Sequence, residues 1–226
     1  MLENLENRRM LSVSASVSNG ALQVKCGGDA CRITVEENNG QVHVFNADNS
    51  DPNAAKEDFW FNEVKSISFW GNGGDDTLLY RGNSIGAQIR GNGGNDVITV
   101  VDSGTGASDV DGEAGTDTII VSQAHNTKVS GGSGDDTIYV NADAKPVASV
   151  DENGVVTWSL APSAASLASS ICIVDAGSGN DTIVVYDGKV TINGGAGNDS
   201  VLNESLGQAQ ITTVKVESNT VQNPSL

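Results

Sequence analysis

Large aromatic side chains are scarce in this 226-residue chain: four phenylalanines, three tryptophans and three tyrosines, 4% of the total. Hydrophobic residues reach only 38%. A chain of this length can bury a continuous core, as one large domain or two small ones, but it need not be globular. Basic residues are few as well, with 12 Lys and Arg against 29 acids and a formal charge of -17. Without a basic cluster to neutralise phosphates, nucleic-acid binding is excluded and cations become the expected partners. No apolar run approaches the roughly 18–20 residues needed to cross a bilayer, so no membrane span is expected. The N-terminus MLENLENRRMLSVSAS lacks the apolar stretch of about 7–15 residues that marks a secretory signal, so export is not read from an ordinary one. His43 and His125 are the only histidines and no His-Glu-x-x-His occurs, which excludes zinc-protease chemistry. The chain is expected not to be an enzyme.

What is abundant is glycine, 27 residues, about twice the usual share of roughly 7%. Much of it falls in one recurring sentence: GNGGDDTLLY from 71, GNGGNDVITV from 91, GEAGTDTIIV from 112, GGSGDDTIYV from 131, AGSGNDTIVV from 176 and GGAGNDSVLN from 194. The period of 18–21 residues, with one 45-residue interval that holds an insertion, predicts stacked coils rather than a folded-back sheet. After each aspartate the residues are β-branched or aliphatic, as at Ile98, Ile119, Ile138, Ile183 and Val201, which suits a strand. A second short strand precedes each turn. Aligned on the turns, Phe69, Ile89, Val110, Val129, Val174 and Ile192 form one inward column. Ile67, Ala87, Ser108, Thr127, Cys172 and Val190 form another. Coils of two short parallel strands, spaced about 4.8 Å apart, make an all-β solenoid with almost no helix.

The predicted organisation is an N-terminal targeting or capping segment over 1–19, weaker coils and a cap over 20–70, the repeat solenoid over 71–203, and capping strands over 204–226. Trp60, Phe61 and Trp70 are expected to shield one end. Within the insertion at 141–170, Asn153-Gly154 between alternating apolar residues predicts a projecting β-hairpin.

The repeated sentence resembles the RTX nonapeptide Gly-Gly-x-Gly-x-Asp-x-U-x, with U a large apolar residue. The resemblance covers residues 71–203, with one motif per coil. It implies a right-handed parallel β-roll whose first six motif positions form a calcium-binding turn. Its physical logic is that a glycine turn lets successive carbonyl oxygens converge while the sixth-position aspartate adds an anionic oxygen. Calcium takes six to eight hard oxygens, more than one turn supplies, so each ion lies between the turns of adjacent coils. Stacking then brings Asp76, Asp96, Asp117, Asp136, Asp181 and Asp199 into a ladder spaced by roughly 5 Å. Two charges at that distance repel by roughly 3 kcal/mol at an effective dielectric near 20, so the ladder is tolerable only with cations in it. Up to about five ions fit the gaps between six turns, which would bring the charge from -17 to -7.

The resemblance also implies the ligands: both aspartates, the carbonyls of positions two and four from one coil, and those of positions one and three from the next. The first gap would use Asn72, Gly74 and Asp76 with Gly91, Gly93 and Asp96. The second would use Asn92 and Gly94 with Gly112 and Ala114, and the third Glu113 and Gly115 with Gly131 and Ser133. The fourth would use Gly132 and Gly134 with Ala176 and Ser178, and the fifth Gly177 and Gly179 with Gly194 and Ala196. Asn72, Asn92 and Glu113 replace the second glycine and Ala176 the first. Since the ligands there are carbonyls, these exchanges strain the turn rather than delete a ligand.

The stretch CGGDACRITV aligns with the same motif, placing Cys26 at position one and Cys31 where aspartate belongs. Either a Cys26–Cys31 disulfide closes this turn in place of an ion, which requires an oxidising compartment, or both are free thiols. Cys172, in an inward column, is read as a packed core thiol. LENRRML at 5–11 resembles the LEPR-XLL signature near the N-terminus of long, repetitive exported bacterial proteins, with Asn7 for proline and Met10 for the first leucine. That resemblance implies a bacterial cell-surface or secreted setting. The expected role is a calcium-stiffened structural or adhesive module, with association into homo-oligomers or fibres through strand edges as an extension. The alternatives are recognition of carbohydrate or ice, or an accessory domain of an exported polysaccharide-active enzyme. Turn positions three and five carry no regular threonine row for ice, and no aromatic platform is evident for sugar.

Overall fold

Alternation of apolar and polar residues on both sides of each glycine turn dictates the architecture. The computed structural model describes residues 13–216 apart from 29, 39, 47–57, 83, 103–105, 124, 142, 151–155, 162–170 and 205–208. The LEPR-XLL-like segment and the Asn153-Gly154 turn lie outside the described residues. Among those described there is no helix.

β1 (Ser14–Ser18) turns back on β2 (Ala21–Lys25), which leads to β3 (Arg32–Asn38). β4 (Gln41–Asn46) and β5 (Asp58–Asn62) then reverse direction twice. From β6 (Ser66–Trp70) and β7 (Thr77–Gly82) the coil repeats: β8 (Ala87–Gly93) with β9 (Val97–Asp102), β10 (Asp109–Ala114) with β11 (Thr118–Ser122), and β12 (Thr127–Ser133) with β13 (Thr137–Val140). The insertion contributes β14 (Asp143–Val150) and β15 (Val156–Ala161). β16 (Ile171–Ser178) with β17 (Thr182–Val185) and β18 (Lys189–Asn193) with β19 (Ser200–Asn203) resume the stack, and β20 (Gln210–Lys215) ends it.

Two nine-stranded sheets result, one holding the strands before each glycine turn and the other those after it. Pairing between successive coils is parallel and position for position. Phe69 stands beside Ile89, Ile89 beside Val110, Val110 beside Val129, Val129 beside Val174 and Val174 beside Ile192. The facing sheet stacks Leu78, Ile98, Ile119, Ile138, Ile183 and Val201 in the same way. Both columns are buried, as are Ile67, Ala87, Ser108, Thr127, Cys172 and Val190. The narrow core between the sheets is therefore filled mainly by Val and Ile, which explains how so few aromatics suffice.

The N-terminal end differs from the expectation of several weak coils. Only β2 and β3 form a coil in parallel register with β6 and β7. β1 on one sheet, and β4 and β5 on the other, are antiparallel additions. The shielding side chains differ in part, Phe61 being as expected. Val42 and Val44 are buried, with Phe59 and Phe61 packed against the core. Alternation along β5 turns Trp60 outward, leaving it 51% exposed. Trp70 lies within the stack, its ring covered by the Lys25 ammonium 4.9 Å from the centroid. Opposite the glycine turns, the loop after β7 is held by Glu37, which accepts from the Ser84 and Ile85 amides at 2.7 and 3.1 Å. The hairpin of β14 and β15 leaves from that same side and pairs with neither large sheet, although β14 runs beside β11.

Candidate metal centre

Each turn reverses the chain by alternating backbone handedness. Position two has positive φ in every coil: 74° at Asn72, 76° at Asn92, 71° at Glu113, 110° at Gly132, 106° at Gly177 and 95° at Gly195. The three non-glycine residues thus sit closer to the left-handed helical basin, the only positive-φ region that side chains tolerate. Position four is glycine throughout, at Gly74, Gly94, Gly115, Gly134, Gly179 and Gly197, with φ between 93° and 144°. From Gly94 onward, a Cβ there would also lie only 1.6–2.2 Å from the position-four carbonyl oxygen of the preceding coil. Close approach and conformation together admit no other residue at position four.

The sixth-position aspartates form the predicted column, and none of the six is more than 3% exposed. One carboxylate oxygen is spent on the stack. The amides of Cys31, Asp76, Asp96, Asp117 and Asp136 donate to Oδ1 of Asp76, Asp96, Asp117, Asp136 and Asp181 at 2.7–2.9 Å, and Asp181 donates to Asp199 at 3.2 Å. The other oxygen, Oδ2, is buried at Asp76, Asp96, Asp117, Asp136 and Asp181 with no hydrogen-bond partner. Five unsatisfied anionic oxygens in one row would be strongly unfavourable in a finished fold. Burial accordingly pushes the carboxyls of Asp76 and Asp136 up to about 7 and those of Asp96 and Asp181 up to about 6, with Asp117 raised for the same reason. Neighbouring aspartates add to these shifts, and the backbone hydrogen bonds oppose them.

The carbonyls converge on the same gaps. Those of positions two and four point toward the following coil, as Gly132 O does toward Gly177 and Gly134 O toward Gly179. Those of positions one and three point back, as Ser178 O does in accepting from Gly134 N at 2.8 Å. A Cβ on Gly71, Gly91, Gly112 or Gly131 would lie 2.2–2.4 Å from its own coil's Oδ2 and 2.3–2.7 Å from the position-one carbonyl of the next coil. Each of these four gaps is therefore bordered by carbonyl oxygens and a bare carboxylate Oδ2, around a space kept open by an absent side chain. That donor set fits Ca²⁺ and is wrong for metals that prefer nitrogen or sulfur. Of the residues named from the motif, Ala114, Ser133, Ser178 and Ala196 face the preceding turn through their carbonyls, which accept from the position-four amides of Gly94, Gly115, Gly134 and Gly179 at 2.8–3.0 Å.

The degenerate first turn is closed differently. Cys26 and Cys31 form a disulfide, with Cα atoms 6.1 Å apart. Its sulfurs and a carboxylate oxygen of Asp76 lie within 4.8 Å of one another. Cys172 is fully buried, and burial pushes its thiol up to about 12, which makes it inert.

Three features escaped the motif reading. Outward position seven stacks Thr77, Val97, Thr118, Thr137, Thr182 and Ser200, a column of hydroxyls interrupted at Val97 and invisible when only turn positions three and five are compared. His43 stacks on Trp60 with centroids 4.0 Å apart and planes 8° from parallel, and on Phe45 at 4.5 Å, so an aromatic platform does exist. Residues 82–86 also spell Gly-x-Ser-x-Gly, but they connect two strands, and the Ser84 hydroxyl donates to Glu37. The strand-to-helix context of a hydrolase nucleophile is lacking there.

The RTX calcium-binding nonapeptide repeat family matches residues 88–100, 124–144 and 175–204, as four copies. The turns at 71 and 112 fall outside those matches yet share their geometry and register. No curated protein and no solved structure matches the chain.

The raised carboxyls fix the sign of a pH dependence. In calcium-free protein the folded state binds more protons than the unfolded state between about pH 4 and 7, so stability is greatest at the acid end and is lost as pH rises through the folded values. Metal binding needs the deprotonated form, so stabilisation by calcium grows over the same interval. Thermal unfolding at pH 5 and pH 8, each with chelator and with calcium, is expected to show a higher midpoint at pH 5 without metal. The increment on adding calcium is expected to be larger at pH 8.

Proposed function

We propose that this chain, which carries RTX calcium-binding repeats in a calcium-binding β-roll, serves as an extracellular structural or adhesive module that calcium folds and stiffens. The row of buried, unpartnered aspartate Oδ2 atoms carries this reading. Bound calcium supplies the positive charge that such a row needs. The chain's own residues do the rest: Oδ1 locks adjacent coils together, Oδ2 and four carbonyls face each gap, and position-four glycine permits the approach. A ligand that binds only the folded state stabilises it by mass action, so the external calcium level sets the fraction folded. Extracellular calcium is sufficient even for sites of about 10⁻⁴ to 10⁻³ M. The Cys26–Cys31 bridge agrees with an oxidising compartment. Unfolding with millimolar calcium and with chelator tests the reading. A midpoint higher by many degrees with calcium is expected, and identical midpoints would refute it.

Fibre formation is the natural extension. β1 and β5 at one end, and β20 and β19 at the other, are the outermost strands through which copies would pair. Light scattering should then show particles that grow with protein concentration in calcium, whereas a constant monomer mass would remove this extension.

The platform of Trp60, His43 and Phe45 favours a second reading, carbohydrate recognition, because an exposed indole offers a flat face for a sugar ring. Gln41 and Asn62, hydrogen-bonded at 2.7 Å on the same pair of strands, supply amides beside it. Retardation in gels containing soluble polysaccharides is expected to weaken about tenfold in Trp60→Ala, roughly the worth of one stacked ring. Equal migration of the two proteins in every polysaccharide would exclude it.

A further inference from the structure

The six turns do not offer five equal gaps. Position one is Gly71, Gly91, Gly112 and Gly131 in four successive coils, then Ala176, then Gly194. Ala176 is in register: its carbonyl lies 2.4 Å from where a Cβ on Gly131 would stand, and β16 pairs without a shift with β12 and β18. Its side chain is 0% exposed. By that register its methyl group takes the place that in the preceding coils lies between Oδ2 of the coil's own aspartate and the next position-one carbonyl. Here those partners are Asp181 and Gly194. A methyl carbon needs an ordinary contact of about 3.4 Å or more, so the two oxygens cannot close on one ion at the roughly 2.3–2.6 Å that calcium requires. Independently, the hydrogen bond across this gap, Asp181 N to Asp199 Oδ1, is the longest in the column at 3.2 Å, against 2.7–2.9 Å elsewhere.

The other end is shut by different chemistry. There position one is Cys26 and position six is Cys31, and the disulfide stands beside Asp76 where an ion would otherwise lie. Building on the calcium reading above, we propose that the ladder holds four ions, in the gaps 71/91, 91/112, 112/131 and 131/176, and that the Ala176 methyl closes the gap between the 176 and 194 turns. Asp199 then serves the stack through Oδ1 and is not a ligand of a fifth ion.

Counting calcium tests this with the full chain. Metal-stripped protein, titrated calorimetrically and weighed by native mass spectrometry, is expected to take up four ions. Ala176→Gly is expected to take up five while keeping the wild-type circular dichroism. Five ions in the wild type, or four in a folded Ala176→Gly, would overturn the proposal while leaving the calcium reading intact. No uptake by the wild type would overturn both. Should the variant fail to fold, anomalous diffraction from wild-type crystals grown in calcium decides directly. Peaks in four gaps and none between the 176 and 194 turns support the assignment, and a fifth peak there refutes it.

Discussion

Asp76, Asp96, Asp117, Asp136 and Asp181 each have one carboxylate oxygen bonded to an amide of the coil before, while the other faces the next coil without a hydrogen-bond partner. The two oxygens act in opposite directions. Oδ1 fixes how one coil sits on another, because it accepts from a single amide and any slip in register breaks it. Oδ2 places buried negative charge in line with its neighbours, a repulsion of roughly 3 kcal/mol per adjacent pair at an effective dielectric near 20. A column that holds the stack together thus also stores the strain that makes the stack depend on a cation.

The rest of the molecule accommodates that column. Short strands rich in Val and Ile build a core thin enough to bring the turns into line, and position-for-position pairing carries the alignment through the stack. Glycine at position four admits the preceding carbonyl; at position two Asn72, Asn92 and Glu113 hold the positive φ with a side chain, whereas a Cβ on Gly132, Gly177 or Gly195 would lie 1.8–2.1 Å from the position-two carbonyl of the preceding coil. Position one is the sensitive place, since a side chain there projects into the ion gap itself. Ala176 and Cys26 are the two departures at that position, and they bracket the four glycine gaps.

The repeat was legible because its physics is local. Alternation gave the inward columns residue by residue, and the turn spacing told which aspartates stack, so both sheets and the aspartate column agree with the reading from the chain alone. The N-terminal region was not legible to the same degree. Strands β3, β4 and β5 alternate like any others, and nothing within them states whether the next strand stacks parallel or folds back antiparallel. Reading β5 as part of a shielding cap assigned that task to Phe61, which performs it, but also to Trp60 in place of Phe59. Antiparallel pairing of β4 and β5 is also what assembles the Trp60, His43 and Phe45 platform from positions far apart along the chain.

The amino-acid order by itself determined the coil length, the inward columns, the aspartate ladder and the oxygen chemistry of the turns. These follow from backbone conformation and from which side chains water rejects, and both repeat with the motif. Only the tertiary structure decided which carboxylate oxygen is bonded and which is bare, how the first coil is capped, and what the methyl of Ala176 meets. Apart from the Cys26–Cys31 bridge itself, those outcomes depend on groups some 18–45 residues apart approaching within a few ångströms, a distance set by stacking rather than by any single turn.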